Sequence, residues 1–75
     1  IYSFAQLEAF TAVAEHGSLM KAASKLGKDR TTLRDLIDFL EDGLGYALFL
    51  REGRSLRLTP EGEQLQRQDA PGQSV

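Results

Sequence analysis

Apolar residues recur every three or four positions over the first part of the chain, a period that is typical of amphipathic helices. Ser3 opens a capping-box pattern, and the run behind it predicts a helix over about 4–16 that ends at Gly17. Ser18 is suited to cap a second, shorter helix, which Gly27 closes.

A third amphipathic run predicts the longest helix of the chain, over about 30–44. Asp29 has the side-chain chemistry of an N-cap, and Gly45 follows the last periodic residue. The apolar stripe of this helix consists of Leu33, Ile37, Leu40 and Leu44. Because so few residues follow Gly27 before this helix begins, the second and third helices are joined by a tight turn.

The pattern changes from helical to alternating after the third helix. The segment YALFLREGRSLRLT predicts two short strands, at about 48–51 and 56–58, joined by a turn through Gly53. Thr59 and Pro60 then predict the N-terminus of a fourth helix. This order of elements predicts a mainly α fold with a small β-hairpin, the winged helix-turn-helix.

The chain is long enough for one domain. We expect the winged helix-turn-helix to span 1–58 and the fourth helix to span 59–68. Residues 69–75 lack periodicity and are expected to be a disordered tail or a remnant of processing. Since the sequence starts at Ile1, we interpret the chain as a fragment of a longer protein.

The composition argues against several kinds of chemistry. The 75 residues include no cysteine and one histidine, His16, so we expect no disulfide, no thiol nucleophile, no metal site and no cofactor. The sequence has no Ser-His-Asp set and no glycine-rich phosphate loop, so an enzyme is not expected. We interpret the carboxylate pair of Glu41 and Asp42 as a solvated helix face. No apolar run approaches the ~20 residues needed to cross a bilayer, which favours a cytoplasmic protein without a membrane partner.

Basic residues are concentrated in two parts of a chain whose net charge is −2. Residues 17–34 carry five basic side chains against one acidic, a local charge of +4, and residues 51–57 carry three against one, a local charge of +2. Such clusters are expected either on a solvated face or where a polyanion binds.

The third helix presents polar side chains on one side. At about 100° per residue, a face turned away from the apolar stripe holds Arg30, Thr31, Arg34, Asp35 and Asp38. Arginine forks match the O6 and N7 acceptors of guanine, and threonine can contact a base edge, as the N-terminal residues of a recognition helix do. The alternative is a solvated face with an i, i+4 pair between Arg34 and Asp38.

Residues 4–62 resemble the DNA-binding domain of LysR-type bacterial transcriptional regulators. The segments that carry the resemblance are AEHGS, AASKL, LEDGLGYALF and GRSLRLTPEG. It implies double-stranded DNA as partner, and a homodimer joined through a linker helix, of which 59–68 would be the truncated start. It also implies a small-molecule effector bound by a C-terminal domain outside this chain.

The resemblance also assigns site residues. Carried over by position, the base-reading residues are Arg30, Thr31 and Arg34, and the backbone-contacting residues are Ser18, Met20, Lys21, Arg51 and Arg54. Arg30 stands where the family commonly has glutamine, which moves the expected preference from adenine toward guanine. Asp35 and Met20 replace residues that commonly serve phosphate binding, so we expect weaker binding than is usual in the family.

One alternative function is a winged-helix module for protein interaction, with weak or lost DNA binding. This alternative is suggested by Leu36 and Phe39, two apolar residues beside the core stripe at positions where the family is commonly polar. These side chains either enlarge the core or form a surface for a partner.

Overall fold

The computed structural model describes residues 3–69. Its elements, in chain order, are α1 (Phe4–His16), α2 (Leu19–Leu26), α3 (Arg30–Leu44), β1 (Phe49–Glu52), β2 (Ser55–Leu58) and α4 (Pro60–Asp69). The two strands form one antiparallel sheet, so the chain folds as the expected winged helix-turn-helix. We call the hairpin of β1 and β2 the wing.

The first three helices each begin with the capping side chain that the sequence predicts. Ser3 and Gln6 form the reciprocal capping box of α1, with Ser3 Oγ accepting from Gln6 N at 3.1 Å. Ser18 and Asp29 cap α2 and α3 through their side-chain oxygens. Gly27 ends α2 with a φ of 67°, a left-handed conformation that lets the chain turn directly into α3.

The core lies where α1 crosses α2 and α3, closed on one side by the start of the wing. Its largest fully buried side chains are Phe10, Val13, Leu33, Leu40 and Leu48. The aromatic ring of Phe49 packs on that of Phe10, with the ring centroids 5.5 Å apart. The predicted stripe of α3 therefore faces the core, with Leu44 at its half-buried edge.

The wing begins one residue later than its sequence predicts, at Phe49 rather than Leu48. Leu48 is fully buried, and its N–H bonds to Glu41 rather than to the opposite strand. The register pairs Phe49 with Leu58 and Glu52 with Ser55, which leaves Gly53 and Arg54 in the turn. Leu56 and Leu58 face inward and Arg57 faces outward, as the alternation predicts.

Backbone hydrogen bonds hold the wing against the helices. Leu56 N donates to Gly17 O at 2.9 Å, which joins β2 to the C-terminus of α1. Thr59 N donates to Leu48 O at 3.0 Å, and the buried Thr59 hydroxyl donates to Ala47 O at 2.8 Å. The same hydroxyl accepts from Gly62 N at 2.9 Å and so caps α4, as its sequence predicts.

The fourth helix ends at Asp69, the last residue that the structure describes. Most of the segment expected to be a disordered tail, residues 70–75, lies outside the described residues. Within residues 3–69, none of the helices has the length and apolarity required to span a bilayer.

Candidate nucleic-acid interface

A concave cleft lies between the N-terminal ends of α2 and α3 and the wing. All eight residues that the sequence assigns to a site line it: Ser18, Met20, Lys21, Arg30, Thr31, Arg34, Arg51 and Arg54. These residues come from three separate elements, so it is the tertiary fold that brings them to one surface.

The α2 side of the cleft is built on the cap of that helix. Ser18 Oγ accepts a hydrogen bond from Lys21 N at 3.3 Å, which fixes the first turn. Met20 and Lys21 are both exposed there. The Lys21 ammonium is therefore free to meet an anion, whereas the thioether of Met20 offers no hydrogen-bond donor.

The first turn of α3 also lines the cleft. Asp29 Oδ2 accepts from Thr31 N at 3.2 Å, and the side chains of Arg30, Thr31 and Arg34 are exposed. Arg34 also forms the expected i, i+4 ion pair, with its Nε 3.9 Å from Asp38 Oδ2. Arg34 therefore both pairs with Asp38 and lines the cleft.

The wing contributes Arg51 and Arg54 to the cleft. Arg57, on the same hairpin, is not among the lining residues; its guanidinium donates to Glu52 Oε2 at 3.0 Å. Arg57 and Glu52 neutralise each other, so the positive charge of the wing is concentrated at Arg51 and Arg54.

The charge of the cleft is of one sign. Five basic side chains line it, namely Lys21, Arg30, Arg34, Arg51 and Arg54, and no aspartate or glutamate is among the described residues that do so. A concave surface with charges of a single sign raises the local concentration of the opposite charge and speeds its association. The acidic net charge of the chain therefore says little about what this surface attracts.

His16 also lines the cleft, at the C-terminus of α1. Its Nε2 is buried, lies 3.7 Å from Glu15 Oε1 and makes no hydrogen bond within the described chain. The residue is half-buried, and its Nε2 has no access to a ligand in the cleft.

The interpretation of Glu41 as a solvated carboxylate is wrong. Its Oε2 accepts from Leu48 N at 2.6 Å and from Phe49 N at 3.3 Å, and the residue is half-buried. Asp42 is exposed, as expected. Leu48 lies seven positions after Glu41. No local pattern marks such a contact, because the partner is a backbone group supplied by the turn after α3.

The two apolar residues beside the core stripe of α3, Leu36 and Phe39, differ in burial. Leu36 is half-buried and packs against the core, as the structural alternative predicts. Phe39 is 64% exposed. It lies about 140° around the helix from Arg34, on a different side of α3 from the cleft, so it takes no part in the basic surface.

Comparison with known proteins identifies the family. The model of the family described as "bacterial regulatory helix-turn-helix protein, lysR family" matches residues 4–63. The chain is 49% identical over 59 residues to the HTH-type transcriptional activator AllS of Klebsiella pneumoniae, which covers 79% of this chain and 22% of that protein. It is 48% identical over 60 residues to a probable nitrogen assimilation transcriptional activator of Synechococcus elongatus, which covers 80% and 19%. The chain thus spans about a fifth of the length of these relatives.

A solved structure agrees with the sequence match. The crystal structure of the CbnR DBD-DNA complex superposes with a TM-score of 0.81 at 35% identity, over 84% of this chain and 72% of that one. The family model covers α1, α2, α3, the wing and the start of α4. The chain therefore belongs to the lysR family of bacterial regulatory helix-turn-helix proteins, and its fold is that of the family's DNA-binding domain.

Proposed function

We propose that this domain reads the sequence of double-stranded DNA for a transcriptional regulator, with the N-terminal half of α3 in the major groove. One observation supports this most directly: the cleft lined by α2, α3 and the wing collects five basic side chains and no acidic one among the described residues. A DNA duplex is a polyanion whose major groove admits an α-helix, so both the charge and the shape of this surface suit it.

Base reading is assigned to Arg30, Thr31 and Arg34. All three are exposed on the first turns of α3, and Asp29 holds the start of that helix by its cap. Arg30 and Arg34 can each present two N–H groups to O6 and N7 of guanine, while Thr31 can reach a base edge or the methyl of thymine. The domain therefore prefers a half-site that contains guanine.

Backbone contacts are assigned to Ser18, Met20, Lys21, Arg51 and Arg54. Lys21 and the two wing arginines line the cleft together with Arg30 and Arg34, and their charge suits contacts to phosphates. Contacts of this kind fix the register of a recognition helix and carry no sequence information themselves. Met20 supplies packing without a hydrogen bond.

For the whole regulator, we infer a homodimer joined through the helix that begins at α4, with a small-molecule effector bound by a C-terminal domain. Two relatives that this chain resembles are activators of about four times its length, which leaves room for such a domain in them. A symmetric dimer reads two half-sites arranged about its twofold axis. A single domain binds weakly because it lacks the effective concentration that a joined second domain provides.

Selection from a random pool of DNA duplexes, followed by fluorescence anisotropy across a salt series, tests the proposal. We expect enrichment of a guanine-containing half-site and a fall of log K with log salt whose slope corresponds to several released counterions. Failure to enrich any sequence, together with negligible binding at low salt even for a covalently joined pair of domains, would contradict it. That result would favour the protein-interaction module instead.

A further inference from the structure

Asp38 is the one carboxylate of α3 that takes part in an ion pair within the described part of the chain. Its Oδ2 lies 3.9 Å from Arg34 Nε, and the two side chains are each 57% exposed. Asp38 itself is not among the residues that line the cleft, so it approaches the Arg34 guanidinium from outside. Nε is the guanidinium nitrogen that forms this pair, and at 3.9 Å the contact is longer than a hydrogen bond.

Helix stability gives little reason for this pair. Exposed i, i+4 pairs contribute about 0.3–0.5 kcal/mol and are screened by salt. The more stabilising order places the acid before the base, and here Arg34 precedes Asp38. A carboxylate beside an arginine assigned to DNA also repels phosphate, so on grounds of affinity alone it is unfavourable.

We propose that Asp38 is a positioning residue that sets how Arg34 reads a base; the inference rests on the proposed function. With Nε nearest the carboxylate, Arg34 keeps its two terminal nitrogens for a base, and their fork matches O6 and N7 of one guanine. The pair favours this arrangement over one in which the arginine reaches a phosphate. Arg34 then contributes to discrimination between sequences more than to general affinity.

The variant Asp38→Asn tests this, with Asp42→Asn as its matched control. Each substitution removes one negative charge from an exposed position of α3, but Asp42 takes part in no ion pair among residues 3–69. Arg34→Lys keeps the positive charge and removes the fork, and so identifies the base pair that Arg34 reads. The probes are the duplex selected by the unaltered domain and its single-base variants.

We expect Asp38→Asn to lower the preference at the base pair that Arg34 reads by roughly twofold to tenfold, the lower part of the range for coupled residues. It should also tighten binding to unrelated DNA and steepen the slope of log K against log salt by up to about one, because Arg34 becomes free to reach a phosphate. Asp42→Asn should leave every base preference unchanged. Circular dichroism should show the same helix content for all variants, since the substituted side chains are exposed.

Two outcomes would overturn the inference alone: an unchanged base preference in Asp38→Asn, or an equal loss in Asp42→Asn. In the latter case the effect would come from charge in general and not from the pair. An unaltered domain that prefers no base at any position would overturn the proposed function together with this inference, so the two failures are distinguishable.

Discussion

The carboxylate of Glu41 holds the backbone of Leu48, the residue at which the chain enters the wing. Glu41 Oε2 accepts from Leu48 N at 2.6 Å, and Phe49 N also donates to it at 3.3 Å. Leu48 is fully buried, so without this acceptor its N–H would lose both water and a protein partner. One side chain of α3 thus orients the strand that carries Arg51.

Glu41→Ala is therefore expected to destabilise the domain by about 1–3 kcal/mol, the cost of leaving buried donors unpaired. Urea unfolding measures this, and amide exchange at Leu48 should accelerate more than at Leu33. Glu41→Gln keeps an acceptor oxygen and should lose less. Asp42→Ala is the control, because Asp42 is exposed beside it. A loss of stability in Asp42→Ala as large as in Glu41→Ala would show that the hydrogen bonds to the wing are not responsible.

Two glycines are expected to respond to alanine in opposite directions. A Cβ at Gly62 would collide with Leu48 O and lie 2.9 Å from Leu58 Cδ2, so Gly62→Ala must push the wing away from α4. We expect a loss of about 1–3 kcal/mol. Gly43 is exposed inside α3, where alanine is favoured by about 1 kcal/mol, and Gly43→Ala should raise the unfolding temperature. Thermal unfolding followed by circular dichroism compares the two, and a gain in both would refute the close approach at Gly62.

The helices of this protein could be predicted from sequence because their signals are local. Ser3, Ser18, Asp29 and Thr59 each cap the helix that follows them, and the stripe from Leu33 to Leu40 repeats at the period of a helix. The eight site residues were assigned by resemblance, and their collection in one cleft depends on tertiary contacts that no local pattern contains.

The contacts that sequence reasoning missed are those between a side chain and a distant backbone. Glu41 has the same chemistry as Asp42 beside it, and only the path of the chain after Gly45 gives one of them a partner. Leu36 and Phe39 differ in burial for a similar reason. Periodicity places both near the edge of the core stripe, but only Leu36 packs against the core.

Leu36 and Phe39 should accordingly differ in their contribution to folding. Leu36→Ala removes a half-buried side chain packed on the core, and we expect a loss of about 1–2 kcal/mol, less than for a fully buried leucine. Phe39→Ser changes a side chain that is 64% exposed and should alter stability by about 0.5 kcal/mol or less. Urea unfolding of both variants measures the difference. Equal losses would mean that Phe39 is packed on the core in solution.

The proposed assignment of base-reading and backbone-contacting residues predicts two different kinds of binding defect. Arg30→Ala should cost about 1–3 kcal/mol at one base pair and relax the preference there, because a fork to guanine is lost. Lys21→Ala should weaken binding to all sequences alike and reduce the salt slope by about one, because a phosphate contact is lost. Both side chains are exposed, so neither change should alter the fold.

Anisotropy titrations of the selected duplex and of its single-base variants, each at several salt concentrations, separate the two effects. Lys25→Ala is the control for charge, since Lys25 is exposed on α2 but does not line the cleft. It should reduce affinity less than Lys21→Ala. If Arg30→Ala and Lys21→Ala weakened every duplex by the same factor, then Arg30 would be one more phosphate contact, and base reading would have to rest on Thr31 and Arg34.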